Sequence, residues 1–64
     1  MPITHLHIIE GRSAEVKQRL METITHSICE CLGTSPEQVR VLIHEVPKEN
    51  WGVGGAPKEH ILDR

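Results

Sequence analysis

The 64-residue chain reads as an α/β protein made of a single βαβ unit with two parallel strands, followed by a glycine-rich C-terminal hairpin or loop. Three observations point there. A β-branched and aliphatic run opens the chain, a long amphipathic helix follows, and a second apolar strand comes next. Strand, helix and strand in this order make a right-handed crossover between parallel strands. The lengths agree, since a helix of about 19 residues spans roughly 29 Å and a strand of eight roughly 26 Å. The whole of 1–64 is expected to form one domain, without internal repeat, low-complexity tract or linker.

The first strand is placed at Pro2–Ile9, PITHLHII, which has no helical period and stops at Glu10-Gly11. Ser13 then supplies a helix cap, with Glu15 in the first turn to suit the dipole. Val16, Leu20, Ile24, Ile28 and Cys31 or Leu32 recur at helical spacing, and Met21 widens the stripe. Gly33 takes the position after the last turn, so the helix is predicted over Ala14–Leu32. Ser35-Pro36-Glu37-Gln38 is a small capping box with proline at its first position, which predicts one helical turn. Val39–Val46, VRVLIHEV, is the second strand, apolar on both faces as in a sheet covered on both sides. KENWGVGGAP carries three glycines and a proline, and Pro47 precedes it, which predicts a loop or a tight hairpin. Lys58–Arg64 is expected to be a short strand or turn.

One such unit is poorly stabilised by itself. Folding should bury about 6,000 Å². With roughly 60% of that apolar, the gain is on the order of 90–95 kcal/mol, and ordering the chain costs about the same. Disulfides offer no remedy, because Cys29 and Cys31 are the only cysteines and their spacing turns them in different directions on a helix. Two unpaired thiols point to a reducing compartment, the cytoplasm. Trp51 is the only aromatic residue besides the histidines. A net charge of −2 argues against a general nucleic-acid binder, and no apolar run approaches a membrane span or a signal peptide. Self-association is the remedy left. Geometry agrees, because parallel strands start at one end, placing Pro2 near Arg40 and Arg12 about 25–30 Å from its own Pro2. A site using both Pro2 and Arg12 must join different subunits.

A proline directly after the initiator methionine is a typical context for methionine removal, which would expose a secondary amine at the start of a strand. The PI start, LHIIEGRS at 6–13, VRV at 39–41 and WGVGG at 51–55 together resemble the 4-oxalocrotonate tautomerase family over essentially the whole chain. That resemblance implies βαβ subunits assembled as a homohexamer, a trimer of dimers, acting without cofactor or metal. It implies Pro2 as catalytic base, Arg12 gripping a distal carboxylate from a neighbouring subunit, and Arg40 holding the 2-oxo or 2-hydroxy group with its adjacent carboxylate. Trp51 stands where the family more usually has phenylalanine, lining the pocket. The implied substrate is a small anionic 2-oxo acid, such as 2-hydroxymuconate.

Elementary chemistry is consistent with these roles. An α-amine titrates near 7.7–8.0, and desolvation and neighbouring cations both favour its neutral, basic form. The same arginines attract an anionic substrate and stabilise a developing enolate. Two other readings compete: a related proline-based dehalogenase acting on a haloacrylate, and a non-catalytic assembly that binds carboxylates. Other motifs carry less. GVGG lacks the GK[ST] of a phosphate loop and reads as a turn. His5 and His7 share a strand face and read as surface or interface residues rather than metal ligands, with His26, His44 and His60 dispersed elsewhere. Cys29 and Cys31 have no base placed beside them. Arg64 is a further possible carboxylate contact with no fixed position.

Overall fold

A computed structural model describes residues 1–58. Strand β1 covers Ile3–Ile9, helix α1 Ala14–Leu32, and strand β2 Arg40–Val46. Short 3-10 turns at Pro36–Gln38 and Lys48–Asn50 flank β2. Strands β3, Gly52–Val53, and β4, Ala56–Pro57, form a small antiparallel hairpin. β1 and β2 pair in parallel, from Ile3 against Arg40 to Ile9 against Val46. The predicted βαβ unit is therefore present, and the glycine-rich segment is a hairpin rather than an open loop. The predicted element at Lys58–Arg64 lies, apart from Lys58, outside the described residues.

The strand boundaries differ from expectation by one residue each, for reasons of hydrogen bonding. Pro2 has no N–H for the ladder, so β1 starts at Ile3, while the Pro2 carbonyl still accepts from the Arg40 N–H at 3.0 Å. The Val39 N–H donates to the Pro36 carbonyl at 3.1 Å, closing the 3-10 turn, and β2 begins one residue later. At the other end the Glu10 N–H donates to Val46 at 3.0 Å, finishing the ladder.

Helix α1 has the predicted limits. The Ser13 hydroxyl accepts from the Val16 N–H at 3.2 Å, satisfying an amide that has no partner within the helix. Gly33 has φ +70°, and its N–H donates to the Cys29 carbonyl at 2.9 Å; a side chain there would meet the steric penalty of left-handed backbone. Ser13→Ala is expected to cost about 1 kcal/mol, read as a lower urea midpoint at unchanged slope. The hairpin turns at Gly54-Gly55, with φ +62° and +89°, the pair of positive angles that a two-residue turn needs to match strand twist.

Side chains of Thr4, Leu6 and Ile8 on β1 and of Val41 and Ile43 on β2 are half-buried. Leu20, Ile24, Ile28 and Cys29 of α1 share that half-buried character, whereas Cys31 is exposed and Leu32 is 66% exposed. Cys29, not Cys31, thus continues the apolar stripe. Lys17 Nζ to Glu45 Oε1 at 2.8 Å clamps the start of α1 to the end of β2 and marks the face that the helix covers. The sequence pattern of β2 suggested a sheet covered on both sides; among the described residues of the single chain only one face is covered. Ile3 is 58% and Leu42 41% exposed.

Val39, 8% exposed, is the only buried hydrophobic residue among those described. The accessible surface is 5010 Å².

Candidate active site

The residues implicated by the sequence fall into two groups at opposite ends of the β1–β2 pair. Pro2 and Arg40 form the first. The bond from the Arg40 N–H to the Pro2 carbonyl joins them across the strands, and Pro2 itself is half-buried. The Arg40 side chain is exposed, and its Nη1 donates to the carbonyls of Glu37 at 2.8 Å and Val39 at 3.3 Å. These two bonds leave other guanidinium N–H groups able to meet an anion. Proline, a backbone ladder bond and a tethered guanidinium thus share one corner, which follows directly from the parallel register.

Arg12 lies one full strand length away, and Trp51 follows the Lys48–Asn50 turn beyond the same end of the strand pair. Arg12 follows Gly11 and precedes the helix cap, and its Nη1 donates to the Ile9 carbonyl at 3.2 Å while the side chain stays exposed. An open, charged cleft surrounds it, lined by Glu10, Lys17, Glu45, Lys48 and Glu49. Trp51 is half-buried; its N–H donates to Lys48 at 3.2 Å and its carbonyl accepts from Lys58 at 2.8 Å. The Lys48–Asn50 turn therefore anchors the tryptophan backbone beside the Arg12 end. Chain geometry keeps Arg12 from its own Pro2, because β1 lies between them.

Two features were not assigned a role from the sequence. The Lys17–Glu45 ion pair sits beside Arg12 and ties the helix start to the sheet; no spacing rule announces a pair 28 positions apart. The other is His44, whose ring stacks on both His5 and His7. The full strand register was needed to bring it there. His60 and Arg64 lie outside the described residues, and no helix among those described is long and apolar enough to cross a membrane.

Comparison with known proteins adds independent information. A family model described as "Tautomerase enzyme" matches residues 2–61. The 2-hydroxymuconate tautomerase of Comamonas testosteroni is 41% identical over 61 residues, covering 95% of this chain and 97% of that protein. A structure from the work on 4-oxalocrotonate tautomerase isozymes of Methylibium petroleiphilum superimposes with a TM-score of 0.90 at 42% identity, covering 97% of this chain and all of that one. A heterohexamer 4-oxalocrotonate tautomerase from Chloroflexus aurantiacus J-10-fl matches with a TM-score of 0.89 at 30% identity, covering 95% and 98%.

Proposed function

The chain belongs to the tautomerase family and is an isomerase, of the 4-oxalocrotonate tautomerase kind; on that premise we propose that it interconverts the enol and keto forms of small unsaturated 2-hydroxy and 2-oxo dicarboxylates, 2-hydroxymuconate foremost, as a homohexamer in the cytoplasm. The mature amino-terminal Pro2, freed by loss of Met1, is the base. It takes the proton of the 2-hydroxyl group and returns it to a carbon of the resulting dienolate, so no proton is gained or lost overall. Arg40 of the same corner holds the 2-oxygen and the adjacent carboxylate, and its positive charge stabilises the dienolate oxygen. Arg12 of a neighbouring subunit holds the distal carboxylate, and Trp51 walls the pocket with a flat apolar ring.

One observation carries this reading: the Arg40–Pro2 backbone bond at one end and Arg12 at the other make two half-sites per chain. A half-site at each end supports sharing of the site between copies of the chain, as does the exposed apolar face. The relatives support the chemistry through their names, and the heterohexamer relative supports assembly of this order. The free thiols of Cys29 and Cys31 support a reducing compartment.

The test is turnover of 2-hydroxymuconate, followed by loss of dienol absorbance, beside halide release from 3-chloroacrylate. Tautomerisation is expected to exceed dehalogenation by at least about 10²-fold in kcat/KM. Faster halide release would favour the dehalogenase, and saturable binding without turnover would favour a carboxylate-binding assembly.

A further inference from the structure

The face of the β1–β2 sheet turned away from α1 carries a cluster that the proposed chemistry does not use. His7 stands directly opposite His44 in the register, and their rings lie 4.8 Å apart at 18°. His5 reaches His44 diagonally, with centroids 5.6 Å apart, planes at 9°, and Nδ1 3.4 Å from Nε2 of His44. All three are exposed, and the exposed Ile3 and Leu42 occupy the same alternating positions beside them. The trio is not arranged as a metal site: near-parallel stacked rings do not converge on one point, and among the described residues no three ligating side chains are placed to hold an ion.

Among the described residues of the two strands, the charges on this face have one sign. Arg40 is at its edge by the same alternation, and the sole carboxylate within the two strands, Glu45, lies on the opposite face paired to Lys17. No described element packs over the imidazoles, so protonated rings would face only one another and Arg40. The His5–His44 contact also needs one bare ring nitrogen, because a fully protonated imidazole offers donors only.

Taking the assembly put forward above, in which other copies cover this histidine-lined sheet face, we infer that acid opens the covered face by charging the imidazoles. The occupant is a second copy because the flanking side chains are the aliphatic Ile3 and Leu42, and because the proposed site is itself shared between copies. The inference rests on the assembly put forward above and adds a pH switch to it. Neutral stacked rings pack as flat, largely apolar surfaces. Once protonated, they place like charges about 5 Å apart, and no carboxylate of the two strands shares their face. Protons and the second copy therefore compete for the face. Association is therefore weakened as pH falls from 8 to 5.5.

The experiment measures molar mass by light scattering against concentration from pH 8 to pH 5.5, for wild type, His44→Gln, and the His5→Gln/His7→Gln/His44→Gln variant. Wild type is expected to be assembled at pH 8, with a subunit dissociation constant at least tenfold higher at pH 5.5. The triple variant should lose most of that difference and His44→Gln part of it, since its ring touches both others. Equal pH dependence in wild type and triple variant would overturn the inference, as would a wild-type dissociation constant that stays constant over the range. That constant alone decides if the variants fail to assemble at pH 8. A wild type already monomeric at pH 8 would instead remove the assembly reading, and the inference with it.

Discussion

Pro2→Ala is expected to lower kcat/KM for 2-hydroxymuconate by about 10²-fold, mostly in kcat, because a positioned base is worth roughly 10²–10⁴. Alanine at this position still presents an α-amine once Met1 is removed, so the change tests the basicity and placement of the nitrogen and not its presence. The Arg40 N–H to residue-2 carbonyl bond is made by backbone and survives the substitution, so KM should change little. A form that keeps Met1 should be poorer still, by on the order of 10³–10⁴, since the nitrogen is then an amide with no basic lone pair. Mass spectrometry of the intact chain gives the state of the N-terminus in the same samples as the initial rates. Full activity in protein that retains Met1 would eliminate proline as the base.

Mixing two impaired variants should restore activity. Arg12→Ala removes a charge-assisted contact to the distal carboxylate, a loss of roughly 1.5–3 kcal/mol or about 10- to 150-fold in kcat/KM, expressed largely in KM. With Pro2→Ala the damage is at the other end of the strand pair, in a different half-site. When the two variants are denatured together in equal amounts and refolded, random assembly leaves about a quarter of the shared sites with both native residues. Recovery to about that fraction of wild-type turnover is the expected result. Pure variants refolded alone serve as the baseline. No recovery after demonstrated co-assembly would mean that one chain supplies both residues, against the length of β1 that separates them.

The acid lability inferred for the histidine face bears on how both experiments are run. Refolding and mixing belong at pH 8, where assembly is favoured. An activity profile that falls below pH 6.5 would then combine protonation of the base with loss of the shared site, and scattering measured beside the rates separates the two.

Much of this architecture was legible from local signals. The limits of α1 followed from Ser13 and Gly33, because capping is a matter of a few neighbouring backbone groups. The crossover followed from the order and length of the apolar segments. Pro2 and Arg40 were placed together by the parallel reading alone, and the structure joins them by a backbone bond. The one-residue shifts at Pro2 and Val39 escaped periodicity because a strand begins where N–H groups become available, and both residues had theirs missing or engaged.

By itself, then, the chain determined its elements, its crossover and the separation of Arg12 from Pro2, since each depends on residues near in sequence or on the fixed rise of a strand. Only the tertiary structure decided the contacts between distant positions: the Lys17–Glu45 clamp and the stacking of His44 on His5 and His7. The physical reason is register. Sliding β2 by one residue against β1 would keep every local preference, yet it would bring a different side chain opposite each histidine.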